Sequence, residues 1–453
     1  MAEITSNALG DTLAMLIEAK KYSAARDVLE TMHPADIAAM LEECSSEIIP
    51  LLFRLLPKEL AAETFVEMDD DQQQLLIQSF SDSELKEVVD ELYMDDAVDL
   101  VGEMPANVVK RILRQADPEM RKMINEILKY PEDSAGSIMT TEYVSLRPEM
   151  TVEDAIKRIR RTGVDKETIN TCYVTGDNRK ILGIVTVRAL LLADENAVMS
   201  DIMEEDVISA LTTDDRESVA MNFNKYGLSA MPVVDEENRL VGIVTVDDVL
   251  DVMQEETTED IEKMAAITPL DKPYLKTGIF ETYRSRIPWL LLLMISATFT
   301  GMIITSFQNA LATQIALVAC IPMLMDTGGN CGSQASVTVI RGISLGEIEF
   351  CDIFRVIWKE MRVAFFCGVT LSAATFVKLI LFDRFGVMVA AVVCLTLVLD
   401  VIVAKVVGCT LPLMATKVGF DPAVMASPFI TTIVDAISLL IYFKIATTLL
   451  GIV

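Results

Sequence analysis

The sequence is poor in the side chains that most transition-metal sites and disulfide-rich folds use. Its 453 residues contain one histidine, His33, and eight cysteines, no two of which form a C-x-x-C pair. A histidine-rich transition-metal site is therefore excluded, and neither a zinc site nor a disulfide framework is expected. The phosphate-binding pattern G-x-x-x-x-G-K-[ST] is also missing, so pumping driven by nucleotide hydrolysis is unsupported. Because no nucleophile–base constellation is evident, we expect that the protein is not an enzyme.

Basic residues are scarce as well. The chain has 38 Lys and Arg against 67 Asp and Glu, a net charge of −29. Residues 287–453 hold nine residues of each sign, so the whole excess belongs to residues 1–286, which carry 29 basic and 58 acidic residues. Nucleic acid is a poor partner for such a surface, whereas cations are attracted to it. The sequence thus predicts an acidic soluble half followed by a neutral, apolar half.

The first 130 residues form a loose repeat of amphipathic helices. H-P-A-D-I at 33, P-K-E-L at 57, S-D-S-E-L at 81 and M-P-A-N-V at 104 each place Pro or Ser before an apolar pattern of helical spacing. The matched apolar residues recur about every 24 residues: Ile37, Leu60, Leu85 and Val108. This period predicts stacked helix pairs in a small superhelix.

A second repeat consists of strand-like apolar runs that are separated by turns. S-I-M-T-T-E-Y-V at 137 is echoed by D-I-M-E-E-D-V at 201, and L-G-I-V-T-V-R at 182 by V-G-I-V-T-V-D at 241. These segments closely resemble a tandem pair of CBS domains, an α/β module that usually senses a ligand. The resemblance implies a ribose contact from Thr245 and Asp248, so ATP is a candidate ligand there. The first copy has Thr186 but Ala189, and at most one complete nucleotide site is expected.

The last 170 residues contain five apolar segments, most of them long enough to cross about 30 Å of hydrocarbon. They lie at about 287–306, 311–340, 361–382, 387–413 and 428–451. Lys and Arg concentrate before the first segment and in the connections after the second and fourth, whereas the other side has only Arg384 near a boundary. The positive-inside rule then places the N-terminal domains in the cytoplasm and the C-terminus outside a cytoplasmic membrane.

Charged residues within these segments are functional candidates, since each is costly in a bilayer. Asp435 lies about two turns into the last segment, Asp400 and Lys405 lie in the fourth, and Lys378 and Lys444 lie near segment ends, where snorkelling to the interface is expected. For Asp435, a structural hydrogen bond between helices remains an alternative to a site for an ion.

The second apolar segment carries the polar sequence M-D-T-G-G-N-C-G-S-Q. Asp326, Asn330 and Gln334 follow one another at intervals of four, so a helix would place them on one face. Pro322 and the glycines, including Gly328 and Gly329, are expected to loosen the helix and expose carbonyls. Carboxylate, amide and carbonyl oxygens favour a hard cation. A glycine-rich contact between helices remains the alternative interpretation.

M-D-T-G-G-N-C-G-S-Q, F-D-P-A-V-M-A-S-P and T-T-I-V-D-A-I-S-L-L-I-Y all resemble sequences of the MgtE family of magnesium transporters, as does the order of the segments. The family implies a homodimeric Mg²⁺ channel with its pore on the dimer axis. It places the pore carboxylate at Asp435, with Asn330 and Gln334 lining or supporting the pathway and looser roles for Asp326, Gly328 and Gly329. It also implies regulatory Mg²⁺ ligands at Asp95, Asp99, Asp248, Asp251, Glu256, Glu259, Asp260 and Asp421. Whether Asp95, Asp96 or Asp99 coordinates is left open.

Together, these features predict a multidomain protein. Its segments are an α-helical superhelical N domain (1–135), an α/β CBS pair (136–200 and 201–254), a connecting plug helix (255–283) and a transmembrane domain of five helices (284–453). The expected function is passive, Mg²⁺-selective transport into the cytoplasm, closed by Mg²⁺ at the acidic domains. The alternatives are a broader carrier of Co²⁺, Mn²⁺ and Ni²⁺, or a membrane sensor of nucleotides or ions that does not conduct.

Overall fold

The computed structural model describes residues 9–451 apart from 11, 18, 271, 273, 309–311, 313 and 426, and only the backbone at 103, 165 and 427. The chain divides into two compact units, Met1–Met253 and Gln254–Val453. In the first unit, nine α-helices between Tyr22 and Ile127 are followed by two small β-sheets with helices of their own. The second unit is built from long helices.

The helical part of the first unit follows the predicted repeat. Its helices are α1 Tyr22–Leu29, α2 Pro34–Glu42, α3 Ile49–Phe53, α4 Lys58–Val66, α5 Asp70–Ser79, α6 Asp82–Val89, α7 Met94–Glu103, α8 Ala106–Gln115 and α9 Pro118–Ile127. The four repeated sequences open α2, α4, α6 and α8. Of the matched apolar residues, Ile37, Leu85 and Val108 are buried in one continuous core, and Leu60 packs against it. The period of about 24 residues therefore corresponds to one helix pair.

Two similar sheets follow. Strands β1 Ser145–Leu146, β2 Thr171–Thr175 and β3 Ile181–Thr186 form the first, and β4 Ala210–Leu211, β5 Ala230–Val234 and β6 Leu240–Thr245 form the second. In each, the first two strands are parallel and the last two antiparallel. Helices α10 Val152–Thr162, α11 Val187–Leu192, α12 Met199–Ile202 and α13 Arg216–Tyr226 accompany them. The repeated G-I-V-T segments are thus β3 and β6, as predicted.

Each I-M segment of the second repeat packs against the strand of the other copy. Thr140 and Ile243 exchange two backbone hydrogen bonds, of 2.8 Å each, and Ile184 and Glu204 do the same at 3.0 and 2.9 Å. At both crossings the strand carries a glycine: a Cβ on Gly242 would stand 2.6 Å from the Thr140 carbonyl oxygen, and one on Gly183 would stand 2.8 Å from that of Glu204. Each CBS copy therefore supplies a segment that forms hydrogen bonds with a strand of the other copy.

The remaining helices are α14 Val246–Met264, α15 Ile279–Ser306, α16 Ala316–Ser344, α17 Ile353–Leu381, α18 Val387–Val418 and α19 Ser427–Leu450. The predicted plug helix thus begins at Val246 and ends at Met264. By length and composition, α15, α17, α18 and α19 could cross a membrane. Helix α16 falls outside that set because of its polar sequence, so the five spans stay a prediction. The start of the predicted second span, at residues 311 and 313, lies outside the described residues.

We expect Gly242→Ala and Gly183→Ala each to destabilise the protein, because the added methyl group would meet a backbone carbonyl that is held in a two-way hydrogen-bonded bridge. The cost should be about 1–3 kcal/mol, measured as a lower midpoint of denaturant unfolding. The matched control is Gly102→Ala in α7, where a Cβ would meet no atom within 4 Å. If Gly242→Ala were as stable as that control, the described crossing would be incorrect.

Candidate ion pathway and acidic sites

The polar sequence of α16 lies on an unbroken helix. Asp326, Asn330 and Gln334 are all exposed and share one face at intervals of four residues. The expected loosening by Pro322 and the glycines is therefore not observed, because the helix continues from Ala316 to Ser344. Helix α16 therefore presents a line of carboxylate and amide side chains along a mainly apolar bundle.

The glycines of this sequence occupy the opposite, buried face. A Cβ on Gly328 would stand 2.7 Å from an Asp400 carboxylate oxygen of α18, and one on Gly329 would stand 3.1 Å from Thr431 of α19. Gly332 meets Ile430 and the Ala404 carbonyl in the same way. Gly328 and Gly329 therefore pack against neighbouring helices, where a larger side chain would collide with Asp400 or Thr431. Their place along the pathway stays a prediction.

Asp435 lies on α19, half-buried, beside the polar face of α16. Its carboxyl interacts electrostatically with Asp326 of α16 and with Asp400 of α18. The structure thus brings the predicted pore carboxylate close to the first residue of the polar line. A concentration of negative charge within a mainly apolar bundle is the arrangement expected of a cation site.

Two other intramembrane charges have partners that the sequence did not reveal. Lys405 of α18 is buried, and its Nζ lies 3.2 Å from the Glu360 Oε2 of α17. Lys378 lies 3.3 Å from Asp383. The sequence did not point to Glu360, because the third apolar segment was predicted to begin at residue 361. The helix itself starts at Ile353, so Glu360 belongs to it.

The C-terminal part of α14 contacts the ends of helices in its own unit. The Ser344 Oγ at the end of α16 donates to Asp260 Oδ2 at 3.1 Å. The Lys263 ammonium lies 2.7 Å from Asp421 Oδ2 and also pairs with Glu259. Burial raises the pKa of Asp260. Burial alone would lower the pKa of Lys263, but its hydrogen bonds to Asp421 and Glu259 outweigh this and raise it. Three of the predicted Mg²⁺ ligands therefore meet around one lysine.

The first unit contains a partly buried acidic cluster, which we define as Asp95, Asp96, Glu167 and Asp248. Burial, reinforced by repulsion from Asp248, raises the pKa of Asp95 to about 9 and that of Asp96 to about 7. Burial and repulsion from Asp247 raise the pKa of Glu167 to about 8. Burial also raises the pKa of Asp248, to about 6, although a hydrogen bond from Thr245 opposes the shift.

This acidic cluster agrees only in part with the predicted ligands. Of the residues that the resemblance implied, Asp95 is buried and Asp248 is close to it, whereas Asp99 and Asp251 are exposed. Asp96 joins the cluster, and Glu167 comes from the first CBS copy, where no motif marked it. Within the described residues, no three acidic, thiol or imidazole side chains already stand at coordinating distance from one point. The donor set is nevertheless all oxygen, which fits Mg²⁺.

Comparison with known proteins gives the same layout. The family model for divalent cation transporters of the MgtE type matches residues 321–445, the MgtE intracellular N domain matches 32–133, and the CBS domain matches 135–196 and 199–255. Over 94% of its length the chain is 37% identical to the magnesium transporter MgtE of Thermus thermophilus and covers 95% of that protein. The chain belongs to the MgtE family.

Other members of the family extend the comparison. The magnesium transporter MgtE of Bacillus subtilis is 32% identical over 96% of this chain, with 96% of that protein covered. A crystal structure of the cytosolic domain of the Mg²⁺ channel MgtE in complex with ATP superposes on 54% of the chain, with a TM-score of 0.52, 36% identity and 99% of that domain covered. The predicted family and the multidomain layout of N domain, CBS pair and apolar helices are therefore confirmed.

The predicted nucleotide pair is intact within the CBS region of this MgtE-family chain. Thr245 Oγ1 donates to Asp248 Oδ2 at 2.7 Å. The same aspartate belongs to the acidic cluster. A ribose at this position would therefore compete with Thr245 for the Asp248 carboxylate, and the surrounding carboxylates would repel a triphosphate unless cations neutralised them.

The acidic cluster should make stability depend on pH when divalent ions are absent. Carboxyl groups with raised pKa values stabilise the fold while protonated and cease to do so as pH rises through those values. We expect the melting temperature in EDTA to fall by about 5 °C between pH 6 and pH 9, and Mg²⁺ to reverse the loss. The measurement is thermal unfolding of the detergent-solubilised chain.

Asp95→Asn should flatten this pH dependence and raise the melting temperature in EDTA, since it removes a carboxyl buried among others. Glu91→Gln, an exposed change nearby on the chain, is the matched control and should leave the profile as in the parent. A parent profile that is flat from pH 6 to pH 9 would contradict the description of the cluster.

Proposed function

We propose that the protein is a Mg²⁺-selective channel or passive transporter. It moves Mg²⁺ across the cytoplasmic membrane into the cytoplasm and is closed by Mg²⁺ bound at its acidic cytoplasmic residues. It is not an enzyme. Its N-terminal domains lie in the cytoplasm and its C-terminus lies outside, as the distribution of Lys and Arg favours.

The observation that carries this proposal is the exposed polar face of α16. Hydrocarbon does not tolerate a line of carboxylate and amide groups without partners, so this face needs either water or a second protein surface. Two copies of the chain placed face to face would provide both, with Asp326, Asn330 and Gln334 of each copy along a shared aqueous path. We therefore propose that the functional unit is a homodimer in the lipid bilayer.

The ion would be accepted by oxygen atoms. Asp435 supplies the charge, and Asn330 and Gln334 supply amide oxygens along the path. Mg²⁺ gives up its water reluctantly, so it would keep part of its hydration shell there. A membrane potential of about 100 mV favours the entry of a divalent cation by about 4.6 kcal/mol, which is enough for uptake without coupled chemistry.

Closure would depend on two groups of cytoplasmic carboxylates. One is the acidic cluster, to which exposed Asp99 and Asp251 could contribute. The other contains Glu256, Glu259 and Asp260 on one face of α14, together with Asp421. In each group the carboxylates repel one another, so a divalent ion that binds them favours the conformation that brings them together. ATP, which a relative binds at its cytosolic domain, would act at Thr245 and Asp248.

Two rival functions make different predictions. A broader carrier of Co²⁺, Mn²⁺ and Ni²⁺ would use the same oxygen donors, and competition between these ions and Mg²⁺ for influx separates it from a selective channel. A sensor that does not conduct would bind Mg²⁺ or nucleotide without any flux. The exposed polar face of α16 argues against the sensor, because a protein without a pathway has no use for it.

Asp435→Asn should abolish Mg²⁺ influx into proteoliposomes, since the amide cannot supply the charge that the ion needs. Expression and the melting temperature should stay close to those of the parent. Asp383→Asn, which makes the same chemical change at a carboxylate paired with Lys378, is the control and should conduct. If Asp435→Asn conducted Mg²⁺ as fast as the parent, Asp435 would not belong to the pathway.

Neutralising Glu256, Glu259 and Asp260 together as Gln, Gln and Asn should leave the protein conducting at high internal Mg²⁺. Glu255→Gln, on the exposed side of the same helix, should still close. Lys263→Met keeps every carboxylate but removes the ammonium between Glu259 and Asp421, so closure should occur at lower Mg²⁺ concentrations. The measurement is influx against internal Mg²⁺ with a trapped indicator. A triple variant that closed like the parent would refute this assignment.

A further inference from the structure

Asp400 is a buried carboxyl that the proposed pathway does not use. It lies in the middle of α18 with no exposed surface. Ser438 of α19 donates a hydrogen bond to its Oδ1. Among the described residues, its Oδ2 has no hydrogen-bond partner although it is buried. Keeping a carboxyl in such a place is costly, so a structural or functional gain must offset that cost.

The neighbours of Asp400 are two helices that carry proposed pathway residues. Ser438 follows Asp435 by three residues, so the two side chains leave adjacent positions on the surface of α19. On the other side, the carboxyl fills the space beside Gly328 of α16, two residues before Asn330. The same side chain therefore contacts the helix of the pore carboxylate and the helix of the polar face.

We propose that Asp400 is a positioning residue for the ion pathway: by holding Ser438 and filling the space beside Gly328, it fixes the spacing and rotation of α19 and α16, and so the place of Asp435 relative to Asn330. This inference rests on the proposed function. Asp400 acts through its contacts and does not itself coordinate Mg²⁺, since its carboxyl is enclosed between three helices while Asn330 and Gln334 are exposed.

Substitutions can separate the contacts that Asp400 makes from its charge. Asp400→Asn keeps an oxygen that can accept from Ser438 and keeps nearly the same volume beside Gly328. Asp400→Ala loses both, and Ser438→Ala loses the hydrogen bond alone. Gly328→Ala adds a methyl group where the carboxyl lies, at 2.7 Å from its nearest oxygen, and should push Asp400 away from Ser438.

The test measures Mg²⁺ influx into proteoliposomes as a function of external Mg²⁺, with the melting temperature recorded for each variant of the full chain. Asp400→Ala, Ser438→Ala and Gly328→Ala should each raise the half-saturating Mg²⁺ concentration roughly tenfold, with a smaller change in the maximal rate. Asp400→Asn should stay within about twofold of the parent. The double variant Asp400→Ala/Ser438→Ala should be no worse than Asp400→Ala, because both changes break the same contact.

Thr396→Val is the matched control. Thr396 is also fully buried on α18, but its hydroxyl donates to the Val392 carbonyl of its own helix, at 2.8 Å. It should keep the parental half-saturating concentration even if the melting temperature falls. If Thr396→Val raised the half-saturating Mg²⁺ concentration as much as Asp400→Ala, the loss of any buried hydrogen bond in α18 would disturb transport. The proposal would then be overturned.

The Asp400 and Ser438 variants and the parent can each give a result that contradicts the proposal. If Asp400→Asn is as impaired as Asp400→Ala, transport depends on the charge of Asp400 and the positioning role is refuted. If Asp400→Ala and Ser438→Ala only lower the melting temperature, the contact serves stability alone. If the parent itself carries no Mg²⁺, the proposed function fails and this inference falls with it; an active parent with an unaffected Asp400→Ala overturns the inference alone.

Discussion

The exclusion of unpaired polar groups from hydrocarbon is the constraint on which the helical unit depends. Helix α16 carries glycines on one face and Asp326, Asn330 and Gln334 on the other. The glycine face lets α18 and α19 approach so closely that a Cβ on Gly408 of α18 would collide with the Gly332 carbonyl oxygen. This close packing turns the polar side chains outward, where lipid cannot satisfy them. A second copy or an aqueous path is the physical solution, and both belong to the same proposal.

Much of this organisation could be predicted from the sequence because it is periodic. Helix starts follow Pro, Ser or Asp before apolar residues at helical spacing, and the repeated G-I-V-T segments mark β3 and β6. Spacing by four likewise placed Asp326, Asn330 and Gln334 on one face. Periodicity describes a single element, so it could not predict which element meets which. The pairing of Thr140 with Ile243 between the CBS copies, the Lys405–Glu360 pair and the entry of Glu167 into the acidic cluster all depend on tertiary contacts.

The interpretation of the glycines shows the same limit. In the sequence, Pro322 with three nearby glycines favoured a loosened helix, since each of these residues is unfavourable within a helix. In the structure, the neighbouring helices decide the outcome: the glycines are the residues that permit contact with Asp400, Thr431 and Ile430. Of the two interpretations of this sequence, the helix contact therefore holds on the glycine face of α16, and the proposed ion path would lie on the opposite face.

Lys263 gives a physical reason why regulation by a divalent ion can be graded. Its ammonium already pairs with Glu259 and Asp421, two of the carboxylates proposed to bind Mg²⁺. An ion that bound there would have to displace the Lys263 ammonium or share the carboxylates with it. The binding free energy of the ion is therefore the difference between its own attraction to Glu259 and Asp421 and that of the lysine. Such a difference is small, and it weakens the site relative to carboxylates without a lysine. A weak site is what a sensor of an abundant ion needs, because a tight one would remain saturated at every internal concentration. In the proposed regulation, Lys263 would thus adjust the range of Mg²⁺ concentrations over which closure occurs without altering the oxygen atoms that bind the ion.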